Sequence, residues 1–207
     1  MIRPDLDDST QMYAHYTGNK GTPIEFDYEE AYKEDAGIRA AVDVEIRKAQ
    51  QGADQFAQAG HTNFQMTGEA RATTLAEYPK TENWQKTIGG YQVWSSANVT
   101  VNGNVVTMTV TVHAEDHYNF NPGQTDIASG APDDANGRFT EIGWAKPFDS
   151  HGQITRTVTW TLSDPPPNST AGSGDPQFNP GREDRSDGIG SEGGRLENNR
   201  DTGSVRG

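Results

Sequence analysis

Apolar residues recur at spacings of three and four from Ile38 through Val42, Ile46, Ala49 and Ala53 to Phe56, while Arg39, Asp43, Lys48 and Gln50 interrupt them. That period turns one stripe of a helix toward a core and the opposite stripe toward water. Asp35, three residues before Ile38, is the predicted N-cap, and Gly60 the predicted stop. Residues 28–33 predict a separate short helical turn, and 23–26 a short extended piece.

From His61 onward the period changes to two, with Phe64 and Met66 alternating against polar neighbours, which predicts a strand. Residues 81–88 predict one or two helical turns ended by Gly89-Gly90. The hairpin signal is stronger. Residues 91–101 are rich in β-branched and aromatic side chains, Asn102-Gly103 supplies the turn, and Val106, Met108, Val110 and Val112 alternate with threonines. A last strand over 153–162 buries Ile154, Val158, Trp160 and Leu162, with Arg156 the exception on that face. The stretch between these strands, 115–152, far exceeds the roughly two to six residues that ordinarily join strands. Within it, 141–146 predicts a short helix before Pro147. The fold class expected is α+β: an N-terminal amphipathic helix on an antiparallel sheet, with a long functional loop.

Composition sets the domain limits. Hydrophobic residues are 31% of 207, and nearly all precede residue 163. After Pro165-Pro166-Pro167 the chain is Gly, Ser, Asn, Asp and Arg with few apolar side chains, too few to offset an ordering entropy of about 1–2 kcal/mol per residue. The expected division is a flexible arm over 1–11, one α+β domain over 12–163 and a disordered tail over 164–207.

A formal charge of −13 with no basic stripe opposes binding to phosphate backbones, so nucleic acid is excluded as a partner. No apolar run approaches the roughly 18 residues that span a bilayer. The first 25 residues show no basic segment followed by an apolar one, so no signal peptide is expected. The absence of cysteine removes disulfides and thiolate metal sites, and the histidines are too scattered to predict zinc.

Candidate chemistry concentrates in 116–139. Glu115-Asp116-His117-Tyr118-Asn119 sits just past a predicted strand end, followed by Asp126, Asp133, Asp134, Asn136 and Arg138 with interspersed glycines. Carboxylates gathered on a loop over a rigid sheet suit general acid–base or metal-assisted hydrolysis: one group orients water or a divalent cation, and Arg138, with Arg156, offsets charge on a phosphoryl or acyl oxygen. Asp116, Tyr118, Asn119 and Arg138 are the candidate catalytic residues, supported by His117, Asp126, Asp133, Asn136, His15 and Arg156. A plainer reading stands beside this one. Asp and Asn beside glycine also serve turn backbones, Arg138 also serves as an internal brace, and His15 as a capping or surface histidine. His113 is expected on the solvent side or packed across strands, and His61 and His151 in turns.

The residues Ile88-Gly89-Gly90-Tyr91, then 113–123 with its Asp116-His117-Tyr118-Asn119 centre, Asp126-Ile127 and Asn136-Gly137-Arg138-Phe139 resemble the C-terminal effector domains of bacterial polymorphic toxins. His15-Tyr16 with Gly18 and Gly21 resembles how such domains open. A more distant similarity is to colicin M-type bacteriocins, whose motif sets Asp, Tyr and Asp close together before a His-Arg pair. Asp116 and Tyr118 match, Asn119 replaces the second Asp, and no His-Arg pair follows at the expected distance, leaving Arg138 as candidate substitute. The resemblance implies an antibacterial effector delivered by a secretion system, type VI among them, into the target periplasm. It also implies a cognate immunity protein and hydrolysis of a peptidoglycan precursor or of peptidoglycan. A divalent cation such as Mg or Ca is the implied cofactor, with Asp116 and Asp126 as candidate ligands. The alternatives are a non-enzymatic binding module and a structural or adaptor domain of a secreted toxin particle.

Overall fold

The computed structural model describes residues 3–120 and 134–162, of which 134–136 are described by backbone alone. The chain is α+β. In order it forms a 3₁₀ turn (Pro4–Leu6), α1 (Asp7–Thr17), β1 (Ile24–Glu25), α2 (Tyr28–Glu34), α3 (Ala36–Gln58), β2 (Asn63–Thr67), β3 (Arg71–Ala72), α4 (Glu82–Thr87), β4 (Gln92–Asn102), β5 (Val105–Tyr118), α5 (Asp134–Glu141) and β6 (Phe148–Thr161). Among the described residues the strands make one sheet in the order β1-β6-β5-β4-β2, with β3 also on β4. It is mixed rather than purely antiparallel, because the short β1 runs parallel to β6.

The long helix α3 lies across β4 and β5. Ile38, Val42, Ala49 and Ala53 of the expected stripe are buried, with Ile46 and Phe56 partly so. Asp35 is its N-cap, as the sequence implies, and does more than cap. One carboxylate oxygen accepts from the backbone N–H groups of Gly37 and Ile38 at 2.7 and 3.1 Å, and the other from those of Lys80 and Thr81, both at 2.7 Å. The helix start is thereby tied to the segment entering α4. A Cβ on Gly37 would stand 2.1 Å from the Tyr78 carbonyl oxygen, so only glycine permits this approach.

Two expectations about local structure change. Part of the stretch expected as a loose arm, Asp7 to Gln11, is the first turn and a half of α1. Its anchors are Met12 and Tyr16, four residues apart and buried, and Asn83, which accepts from the Ser9 N–H at 3.1 Å and donates to Asp8 at 2.7 Å. A run of aspartates hides a helix start because its partners come from α4. The helix expected at 141–146 instead occupies Asp134–Glu141, and the chain turns through Gly143 at φ +75°. The tail expected over 164–207 lies outside the described residues.

A second polar linkage ties α3 to β3. Arg71 donates through Nε to Glu45 at 2.7 Å and through both terminal nitrogens to Glu77 at 2.7 and 2.8 Å. The Thr74 backbone and hydroxyl also donate to Glu77, at 2.8 and 2.9 Å. Burial alone would raise the Glu77 carboxyl, but these donors outweigh it and hold it at about 2, against an ordinary 4.5. A depressed carboxyl contributes stability that is complete above the unfolded value and is lost as pH falls toward the folded one. Between about pH 4.5 and pH 2 the wild type is expected to lose on the order of 2–3 kcal/mol through this group. Urea unfolding of the wild type and of Glu77→Gln across that range measures it: the variant should show a shallower loss.

Candidate functional site on the outer sheet face

Residues on β5 alternate without interruption from Val106 to Tyr118. Val106, Met108, Val110, Val112, Ala114, Asp116 and Tyr118 point to the helix-covered side and are all buried. The other set, Thr107, Thr109, Thr111, His113, Glu115 and His117, belongs to the opposite face. The strand therefore extends four residues beyond its expected end, and β6 begins five before its expected start. The segment Glu115 to Tyr118 is thus strand rather than loop. An inward Asp116 breaks the apolar alternation, so the pattern fades although the chain stays extended.

Two short runs share one arrangement. Glu115-Asp116-His117 and Asp149-Ser150-His151 each read acid, any residue, histidine, and β5 and β6 pair them antiparallel. Antiparallel pairing reverses one run against the other, so each acid faces the histidine opposite: Glu115 with His151 and His117 with Asp149. The His117 Nδ1 and an Asp149 carboxylate oxygen are 2.7 Å apart, with the His117 side chain 33% exposed and Asp149 16%. A carboxylate accepts only, so Nδ1 carries the proton and Nε2 is left as the basic nitrogen of the neutral ring. Glu115 is buried, His151 is exposed, and Glu25 of β1 stands beside His151. The two acid–imidazole rows lie about 7 Å apart along the strands, two residues of extended chain.

The surroundings of this patch are polar on one side and aromatic on the other. His113 stacks on Trp94 at 4.9 Å and bonds through Nε2 to Ser96 at 2.9 Å, the cross-strand packing expected of it. Farther along β5 and β6 runs a ladder of facing threonines: Thr111 with Thr155, Thr109 with Thr157 and Thr107 with Thr159, hydroxyls 2.9 to 3.4 Å apart. Beneath the sheet, Tyr118 stacks on Phe148 at 4.9 Å and meets Tyr16 and Phe120.

The expected site residues do not converge. Asp116 is fully buried on the helix side, where Ser150 donates to its backbone carbonyl at 3.4 Å, and Tyr118 is 1% exposed in the aromatic cluster. Asn119 follows directly after β5 and is half-buried, and Arg138 is exposed on α5. Arg156 is held on Glu29 at 2.8 and 3.2 Å and lies over the Tyr32 ring, which makes it a brace between β6 and α2. His15 bonds to the Thr22 carbonyl at 2.8 Å and meets Phe148 edge-on. Asp126 and Asp133 lie outside the described residues, as does the Asn136 side chain. Only His117 of the expected set stands in the outer patch. Asp149 and His151 fall in the stretch that the sequence reads as loop, yet the paired acid-x-His runs are a usable signal.

This donor set does not fit the implied divalent cation. Among the described residues no three His, Asp or Glu side chains are placed to hold a metal ion. The fully buried Asp116 faces away from the outer patch.

No family model, curated protein or solved structure matches the chain. Among the described residues no helix is long and apolar enough to cross a membrane.

Stability separates structural from chemical roles here. Exposed cross-strand pairs contribute about 0.2–1 kcal/mol, whereas removing a buried aromatic side chain costs about 3–5 kcal/mol. His117→Ala is therefore expected to lower unfolding free energy by no more than about 1 kcal/mol and Tyr118→Ala by at least about 3, measured by urea denaturation.

Proposed function

We propose that this chain is an antibacterial toxin effector domain acting on the cell envelope, where it hydrolyses a peptidoglycan precursor or peptidoglycan, with His117 as general base. The observation that carries the reading is the 2.7 Å contact between His117 Nδ1 and Asp149, on a ring that remains a third exposed. A carboxylate behind an imidazole fixes its tautomer and stabilises the imidazolium formed when it takes a proton.

In this reading His117 Nε2 removes a proton from water as the water oxygen bonds to the reacting centre. His151, in its protonated form beside Glu115, returns a proton to the departing oxygen, so one water is consumed per bond broken. The row spacing of about 7 Å leaves room for a water and the scissile bond between the two imidazoles. The exposed threonine hydroxyls continue the same face and suit hydrogen bonding to a polyhydroxylated glycan. The charge of −13 and the toxin-like residue pattern favour an envelope substrate over nucleic acid. A cognate immunity protein would act by covering this face, and the site of action would be the target periplasm.

The test incubates purified chain separately with lipid-linked peptidoglycan precursor and with isolated peptidoglycan, reading released soluble product by chromatography. Product from one substrate is expected, with His117→Ala and Asp149→Ala each slowing release by about 10²-fold or more. No product from either substrate, or undiminished release by His117→Ala, overturns the proposal in favour of a binding or structural role.

A further inference from the structure

The sheet has one long edge without a strand beside it. β1 accompanies β6 only at Ser150 and His151, and among the described residues no strand lies on that side of β6 from Gln153 to Thr161. The Phe26 N–H donates to the His151 carbonyl at 2.9 Å, so the backbone groups of His151 point toward β1. Backbone groups alternate sides from one strand residue to the next, so those of Gln153, Thr155, Thr157, Thr159 and Thr161 point to the same, open side. Arg156 donates to the Thr155 carbonyl at 3.0 Å, and the other groups of this row have no partner among the described residues.

A strand edge with unpaired backbone groups is a template for another chain, and proteins ordinarily blunt it with proline, a bulge, charged side chains or a covering element. Residues 153–161 contain no proline, and their pairing with β5 runs residue for residue without a bulge. Gln153 and the four threonines of the row are uncharged and exposed. Arg156, the single charge in the stretch, points to the helix side and is held on Glu29. On that side Val158 and Trp160 are only half-buried, so apolar surface flanks the open row.

We propose that this edge joins a second copy of the chain, β6 pairing antiparallel with β6 about a two-fold axis at Thr157 to make one continuous sheet. The edge is self-complementary, as an isologous interface requires. An antiparallel pair centred on one residue needs that residue's N–H and C=O to point outward, and those of Thr157 do. Thr157 is also the midpoint of the open stretch 153–161, so every open residue finds a partner. In that register Thr155 faces Thr159 of the other copy and Gln153 faces Thr161, and the threonine ladder between β5 and β6 continues across the axis. On the helix side Arg156 faces Val158 of the other copy, so no like charges oppose each other, and Trp160 faces Ile154. The ends fit as well, because β1 closes the edge at His151 and Pro165 stops the strand beyond Thr161. The rival occupant, the chain's own residues 163–207, carries no run of β-branched or aromatic residues from which to build a strand.

Sedimentation equilibrium of the full chain at low ionic strength, up to about 1 mM, is expected to show the 22.5 kDa chain passing reversibly to twice that mass. Thr157 would lie opposite itself, so Thr157→Lys and Thr157→Glu each set like charges face to face. Each should weaken self-association about fivefold or more, and an equimolar mixture of the two should restore it. Both changes fall at an exposed position, and circular dichroism checks that each variant is folded. Undiminished association of either variant, or no recovery on mixing, overturns the proposal. So does a wild type that stays monomeric at every concentration; slow amide exchange at Thr157 and Thr159 in that monomer would give the edge to the chain's own C-terminal residues.

Discussion

The uninterrupted antiparallel pairing of β5 with β6, from Val105 opposite Thr161 to Tyr118 opposite Phe148, governs what every side chain at this end of the molecule meets. A strand has a side-chain period of two, so a slip by one residue would send Val106, Met108, Val110 and Val112 to the water face and the threonines to the core. The cost of that exchange fixes the register along both strands. Once it is fixed, the polar ends have no freedom of their own: His117 must face Asp149, and Glu115 must face His151. Hydrophobic burial at one end of the hairpin thus positions ionisable groups at the other.

Much of the scaffold was legible because its signals are local and periodic. The stripe from Ile38 to Phe56, the Asp35 cap and the Asn102-Gly103 turn each rest on residues adjacent in sequence or one helical turn apart, and α3, its cap and the β4–β5 hairpin appear as expected. What failed to show depends on distant partners. The helix Asp7–Thr17 is secured by Asn83, and β6 starts at Phe148 because β5 continues to Tyr118 beside it. A charged residue in an apolar register misled in the same way. Asp116 occupies an inward position, so its run loses the apolar alternation that marks a strand, whereas the α3 stripe survives an inward Glu45. Reading Asp116 as a loop acid followed directly from that loss, and with it the grouping of Asp116, Tyr118, Asn119 and Arg138.

The sheet divides the molecule's polar chemistry between two faces. On the helix side, Asp35, Glu45, Arg71 and Glu77 are largely buried and heavily hydrogen-bonded, holding α3 to the segment before α4 and to β3. Buried pairs of this kind are weak evidence for net stability but fix geometry, because removing one partner strands the other. On the outer face, His117 and His151 remain partly in water, with His117 Nδ1 held 2.7 Å from Asp149. Arg156 shows the difference: a cation anticipated as electrophilic help is instead a clamp between β6 and α2.

The tautomer of His117 is the most direct measure of whether register creates a poised base. Long-range ¹H–¹⁵N correlation spectroscopy of the full chain at neutral pH reads it from the two ring-nitrogen shifts. A protonated Nδ1 with a bare Nε2 is expected, reverting toward a tautomer mixture in Asp149→Asn. A wild-type ring protonated at Nε2 alone, or one indifferent to Asp149→Asn, would contradict the pairing on which the proposed chemistry rests.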